Sequence, residues 1–383
     1  MKKVVSLLFI SFALCLVLIS CGKLGDSENV GTEGLKYTLL DNGTYEVSGI
    51  GTATYVKDIV IPETHEGKAV TKIGNGAFYD CRNIKSVVIP NSVIGISGGA
   101  FSDCKNLTSI EIPNSVTSIG HGAFAGCESL ASIELPSSVI SVGDRIFSDC
   151  YSLSSIIVDE NNTSYKSIDG NLYDVSIIHD GTVLIQYAIG KEDTSFVIPS
   201  DVTSIGKYAF SGCTSLNNIV IPNSVKTIED DAFSECTNLE SVKIEYGVTS
   251  IGNGAFLDCE SITNIEIPNS VTSIGNGAFA RCKNLKSVAM PNNVTIIESG
   301  TFSGCESLKS IVMPNSVIVI DQGAFWGCDN LTIYCEAEEK PTNWDENWCE
   351  DIKFIYWYSE SEPSIEGNYW HYDENGEIAV WSK

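Results

Sequence analysis

The chain of 383 residues has only four histidines, His65, His121, His179 and His371, which are far apart and share no periodic position. A phosphate-binding glycine loop and an H-E-x-x-H sequence are also missing, so nucleotide and zinc-peptidase chemistry have no signature here. No C-x-x-C pair accompanies the 14 cysteines, which argues against structural zinc. Basic residues are scarce, 23 Lys and Arg against 49 Asp and Glu, for a formal charge of -26. A surface this acidic repels nucleic-acid phosphates and anionic lipid headgroups, so nucleic acid is not an expected partner.

What the chain does have is a period. Cysteine returns every 23 residues at Cys81, Cys104, Cys127 and Cys150, and again from Cys213 through Cys236, Cys259, Cys282 and Cys305 to Cys328. Each is preceded three residues earlier by phenylalanine and followed three later by Leu or Ile. The chain is therefore a stack of near-identical modules.

One module runs from Phe124 to Phe147. Leu130, Ile133 and Leu135 give a short strand, and Pro136, with no N–H for a ladder, ends it. Val139 and Val142 mark a second inward pass. A Gly, Ser, Glu or Asp (Gly143 here, Ser97, Glu229 or Asp321 elsewhere) then leads into a single helical or 3₁₀ turn carrying Ala-Phe and the cysteine. A module this short cannot bury its own apolar positions, so its neighbours must supply the core. The expected fold is a β-rich repeat solenoid, and ten coils about 4.8 Å apart make a body roughly 50 Å long.

The repeat L-x-x-I-x-I-P-x-S-V-x-x-I-G-x-x-A-F-x-x-C resembles the 23-residue leucine-rich repeat of the BspA-like bacterial surface proteins, over roughly residues 60 to 335. Common leucine-rich repeats carry an Asn or Cys ladder where this chain has Pro-Asn-Ser-Val, as at Pro113 to Val116, so the usual horseshoe curvature is not assumed. The resemblance implies a cell-surface adhesin that binds extracellular-matrix or other surface proteins.

At the N-terminus Lys2 and Lys3 precede an apolar run from Val4 to Ile19, the pattern of a secretory signal. Leu18-Ile19-Ser20-Cys21 resembles the lipobox of bacterial lipoproteins, which implies cleavage after residue 20 and a diacylglyceryl group on Cys21. The alternative is an uncleaved anchor. Two or three acyl chains hold a protein stably at a membrane. The expected location is exported and surface-exposed, lipid-anchored to the bacterial cell membrane or outer membrane. Removing residues 1–20 deletes two lysines and no acids, so the charge becomes -28. The expected divisions are signal 1–20, flexible tether 21–33, N-terminal β cap 34–62, solenoid 63–335 and an aromatic C-terminal cap or small module 336–383.

The ten repeat cysteines should stack about 4.8 Å apart, with Cβ atoms too distant for the favoured ~3.8 Å of a disulfide. They read as a buried column of small apolar thiols. Cys335 and Cys349 lie off register, and a bridge between them stays open.

From Cys150 to Cys213 is 63 residues, 40 more than one period, which places an insert at 159–198. Ile168-Asp169-Gly170-Asn171 and His179-Asp180-Gly181 suggest small β-hairpins projecting from the stack, as structural elements or as a binding feature. Within the insert, Asp159-Glu160-Asn161-Asn162 lacks the full calcium-loop pattern.

Five of the six tryptophans fall in the tail: Trp344, Trp348, Trp357, Trp370 and Trp381. Two readings stand for them, a cap sealing the last coil and an aromatic platform for a sugar or peptide. Trp357 and Tyr369-Trp370-His371-Tyr372 are the candidate contacts there. On the strands, the position five residues after each cysteine from Cys81 to Cys305 is uniform Ser or Asn, such as Ser86 and Asn218. The column beside it varies: Val88, Glu111, Glu134, Ile157, Val220, Lys243, Glu266, Ala289 and Val312. The uniform column suits hydrogen bonding along the ladder, and the variable one suits partner contacts.

Gly95-Ile96-Ser97-Gly98-Gly99 matches G-x-S-x-G but lies in a repeat turn, not between a strand and a full helix. Catalysis needs a unique constellation, and repeats offer copies. The sequence therefore points to a lipid-anchored protein with no catalytic residue, cofactor or metal that binds a macromolecular partner. Carbohydrate capture by the tail and a passive envelope role are the alternatives.

Overall fold

The apolar spacing of one coil dictates its path. In residues 213–236, Asn218–Ile221 alternates outward Asn218 and Val220 with buried Ile219 and Ile221. Pro222 ends the strand, and the Val225 N–H closes a turn onto the Pro222 carbonyl at 3.1 Å. Thr227–Ile228 then turns Ile228 into the core, and Ala232, Phe233 and Cys236 complete the inward set. Every apolar position that spacing assigned to this coil is buried. The computed structural model describes residues 31–348, 352, 354–364 and 367–381. The signal, the lipidation candidate Cys21 and Cys349 lie outside the described residues.

Coils stack in register to give a β-solenoid of about 13 turns. Asn218–Ile221 pairs in parallel with Ser241–Ile244, Val220 opposite Lys243, and Thr227–Ile228 pairs with Ser250–Ile251. Residues 23 apart thus lie one above the other, forming two strand faces. Along the core the phenylalanine rings stack at centroid separations from 4.7 Å (Phe210–Phe233) to 5.8 Å (Phe124–Phe147). That spacing follows the ~4.8 Å strand separation, with rings offset rather than eclipsed.

The third pass corrects the expected helical or 3₁₀ turn: among the described residues it contains no helix. In the coil at Ser97, Ala100, Ser102 and Cys104 donate three residues back, to Ser97, Gly99 and Phe101. The alternate residues Gly99, Phe101 and Asp103 donate instead to the next coil, at His121, Ala123 and Ala125. Gly99 (φ 60°) and Asp103 (φ 59°) sit in the left-handed region, and a helix cannot continue through them. The result is a chain of turns that also forms a ladder between coils.

The cysteines from Cys104 to Cys328 are buried and none forms a disulfide. Most donate a hydrogen bond to the phenylalanine carbonyl 26 residues earlier, as Cys236 Sγ does to Phe210 O at 3.1 Å. Cys213 is the exception. The carbonyl it would use, on Tyr187, accepts from Gln186 Nε2 at 2.9 Å, and Cys213 Sγ contacts Ser215 Oγ at 3.6 Å.

The insert also differs from expectation. Tyr187 lies 23 residues before Phe210 and stacks on it at 5.0 Å. Gly190 lies 23 before Cys213, and Ser195–Val197 pairs with Asn218–Ile221 in the regular register. The surplus is therefore 40 less 23, or 17 residues, between Cys150 and Gly190. Glycine replaces cysteine there because a Cβ would meet the Ser152 carbonyl carbon at 2.3 Å. Nor does the hairpin project. Tyr165–Ile168 pairs antiparallel with Asn171–Asp174, which pairs with Thr182–Gln186. All four residues of Asn171–Asp174 are buried. Leu172 joins the N-terminal core while Tyr173 joins the C-terminal one. The hairpin is a partition between two cores, because its strands alternate apolar side chains to both sides.

Both ends are closed. Lys36–Leu39 pairs with Tyr45–Gly49, which joins the second strand face through Lys68–Ile73. At the other end Trp344 and Trp348 are buried, Trp348 set edge-on to Phe325 at 6.3 Å.

Two outcomes follow. Phe256→Ala, between Phe233 and Phe279 at 5.1 and 5.3 Å, should cost about 3–5 kcal/mol in denaturant unfolding. A loss below 1 kcal/mol would contradict the stack as the core's spine. Burial also pushes the Cys104, Cys150, Cys282 and Cys328 thiols up to about 12 from an ordinary 9.0. The unfolded chain releases these protons near pH 9 and the fold retains them, so the fold binds more protons above that pH. The contribution is complete below pH 9 and is lost as pH rises toward 12. The thermal midpoint should therefore fall through this window, and an unchanged midpoint would refute the thiol linkage.

Candidate binding surface

Because each outward strand position stacks on its counterpart 23 residues away, a single-residue choice becomes a column. In the uniform column Ser86 Oγ donates to Asp58 Oδ1 at 2.6 Å and Ser287 Oγ to Asn264 Oδ1 at 2.7 Å. These bonds run along the ladder, as expected for side chains opposite one another.

The variable column is brought together in segments. Val88 lies opposite Glu111, Glu134 opposite Ile157, Val220 opposite Lys243 and Glu266 opposite Ala289. Val88 is 55% and Ile157 47% exposed, while Val220 and Val312 are half-buried. Lys243 Nζ meets Glu245 Oε1 at 3.1 Å, an exposed pair of little energetic weight. Register extends the column to Val60, Val197, Tyr334 and Tyr356, which sequence spacing missed. Val197 belongs to the coil hidden in the supposed insert, and its signal was the run Phe196-Val197-Ile198-Pro199. Tyr334 and Tyr356 follow coils one residue short of the period. The column thus mixes apolar groups with Glu111, Glu134, Lys243 and Glu266. It suits a partner with apolar and basic contacts.

The tail divides into two groups. Ile355 and Trp357 pack on the end of the C-terminal core with Trp344 and Trp348. Tyr334, Tyr356, Tyr358 and Tyr372 gather instead around Trp370. Trp370 is fully buried, and its Nε1 donates to Cys335 O at 2.8 Å. This corrects Trp370 as a contact platform, since its ring has no exposed face. Tyr372 remains 42% exposed, with its hydroxyl donating to Glu336 Oε1 at 3.1 Å. Burial and Glu336 push the Tyr372 phenol up to about 12. Tyr369 and His371 are half-buried, and the His371 ring stacks on Trp381 at 3.9 Å.

The other sequence candidates have local roles. Ser97 is buried and its hydroxyl has no hydrogen-bond partner, so no base activates it. Asp159 Oδ1 accepts from the backbone and side chain of Asn161. Asn162 Nδ2 donates to the carbonyls of Pro136 and Val139 at 2.9 Å each while its Oδ1 accepts from the Ser164 and Tyr165 N–H groups, so this run is built of Asx turns. Among the described residues no group of three His, Cys, Asp or Glu is placed to hold a metal ion.

A stack of 23-residue coils with leucine or isoleucine, phenylalanine and cysteine turned inward defines a leucine-rich-repeat solenoid. The BspA type Leucine rich repeat region matches residues 52–174 and 190–262 in 6 copies, and the chain belongs to that family. Among solved structures it is similar to the pneumococcal vaccine antigen PcpA, at 22% identity and a TM-score of 0.58, over 81% of this chain and 93% of that one. It is also similar to a leucine-rich repeat protein from Eubacterium ventriosum, at 25% identity and TM-score 0.56, over 81% and 95% respectively. No curated protein matches.

Trp370→Ala should loosen the tail while leaving the solenoid folded, because it removes the centre of the aromatic group and a buried hydrogen bond. Limited proteolysis should then cut within residues 354–381 before any cut in the coils. Tyr372→Ala, at a partly exposed ring, should change little. Equal resistance of both variants would show that Trp370 does not hold the tail.

Proposed function

We propose that this is an exported, surface-displayed protein whose strand face binds a protein partner of the extracellular matrix or another cell surface. The carrying observation is the variable column, exposed apolar and charged side chains on a scaffold that is otherwise uniform. Structural repeats create extended surfaces of this kind, and leucine-rich-repeat solenoids commonly serve binding rather than catalysis. One solved structure with this fold is described as a vaccine antigen, which fits display at a surface. The burial of Trp344, Trp348 and Trp370 weighs against a glycan platform in the tail.

The anchor in this reading is a lipid on Cys21, after removal of residues 1–20, with residues 21–33 as tether. The cap, solenoid and tail divisions at 34–62, 63–335 and 336–383 belong to the same proposal. Acyl labelling and fractionation test the anchor, and an unlabelled protein in the cytosol would overturn it.

The binding test is an array of matrix proteins and glycans probed with the protein and with Glu111→Lys/Glu134→Lys. Saturable binding to a protein is expected. The double reversal should change affinity by roughly twofold to tenfold, chiefly through association rate and salt dependence. Glycan-only binding, or binding indifferent to the column, would overturn the reading.

A further inference from the structure

The two strand faces have edges, and an open edge presents unpaired N–H and C=O groups to any extended chain. Most are closed. Thr32 covers Val60, donating to its carbonyl at 2.8 Å and accepting its N–H at 2.8 Å. Asp345 N–H covers Ile320 O at 2.9 Å. The N-terminal hairpin ends on Lys36–Leu39, which carries a lysine and a bulge between Lys36 and Tyr37, two ordinary protections of an edge.

Among the described residues the C-terminal edge has neither. Beyond Phe354–Tyr358 the sheet continues through Tyr369–Tyr372 to Ile378–Val380, which pairs antiparallel and is last in its sheet. Trp381 N–H bonds Tyr369 O and Asp373 N–H bonds Glu377 O. That register turns the N–H and C=O of Ile378 and Val380 outward. Their side chains, 39% and 44% exposed, stand on the same face as Tyr372, opposite which Ile378 lies. An apolar strip therefore flanks an edge that, among the described residues, has no strand beyond it.

Charge selects the occupant. Residues 336–383 carry 13 acidic and 3 basic residues, and Glu374 and Glu377 adjoin the edge strand with exposed side chains. A second copy of this edge would bring like charges together, whereas a basic segment meets opposite charge. We propose that the Ile378–Val380 edge accepts an extended, lysine- or arginine-rich segment of a partner protein as an added strand. Main-chain hydrogen bonds to Ile378 and Val380 supply affinity. Alternate side chains over Tyr372 and the carboxylates supply selection. This rests on the protein-binding reading above and names a second contact site for it.

The test titrates the full chain with a labelled strand-length peptide of alternating lysine and valine, against the alternating glutamate and valine peptide. Saturable binding of the lysine peptide that weakens with salt is expected, with none of the glutamate peptide. Val380→Pro removes an outward donor at an edge position that tolerates proline, and should weaken binding roughly fivefold or more. If Val380→Pro disturbs tryptophan fluorescence, Glu374→Lys/Glu377→Lys replaces it, and it should narrow the preference between peptides. Equal binding of both peptides, or binding unchanged in these variants, would overturn the proposal. So would concentration-dependent dimers abolished by Val380→Pro without peptide binding, which would give the edge to a second copy. A matrix protein that still binds when the lysine peptide does not would overturn the edge site alone and leave the solenoid face standing.

Discussion

Everything in this molecule depends on the parallel, in-register stacking of one coil on the next. A 23-residue coil encloses too little space to bury its leucines, isoleucines and phenylalanine without the coils above and below. The same stacking satisfies the backbone on all three passes: strand ladders on two, and alternating turn and inter-coil bonds on the third. Since each position repeats at the strand spacing, a residue must pack against its own copy. Phenylalanine does so by offset stacking, and cysteine by donating to the carbonyl of the coil before.

Buried thiols suit that constraint. A protonated thiol is small, donates one weak hydrogen bond and leaves no charge in the core. Burial holds these groups in that state, since desolvation disfavours the thiolate. The repeat geometry gives the cysteines from Cys104 to Cys328, Cys213 excepted, a carbonyl partner in the neighbouring coil.

The interruptions follow from the same rule. A coil that departs from the repeat must still hand its neighbours a matching surface, and the hairpin at Tyr165–Ile168 and Asn171–Asp174 does so with Leu172 on one side and Tyr173 on the other. Arg145 marks the place: its guanidinium lies 4.7 Å from the Tyr208 ring, and both residues adopt positive φ where most other coils have glycine. At the C-terminus the last coil cannot leave Phe325 open, and tryptophans cover it while the sheet runs on past the core. The proposed function rests on what this scaffold leaves variable along its outward column.

The period, the inward residues, the parallel stack and the thiol column were legible in the sequence, because burial in a repeat is written as spacing. Leu216, Ile219, Val225 and Phe233 needed no coordinates. The expected helical turn failed because local propensity does not reveal that Asp103 and its counterparts adopt left-handed φ. That choice is made by the ladder between coils. The register of Tyr187 and Gly190 was hidden because a tyrosine and a glycine stood where phenylalanine and cysteine marked the repeat. Only the stacked structure shows which residues lie 23 apart in space as well as in number. The tail shows the difference most sharply: its tryptophans announced an aromatic module, but their order along the chain could not say which rings face the core. Tertiary packing decided that Trp370 is buried against Cys335 and that Ile378–Val380 is the last strand of its sheet among the described residues, because burial and edge position depend on which strands meet.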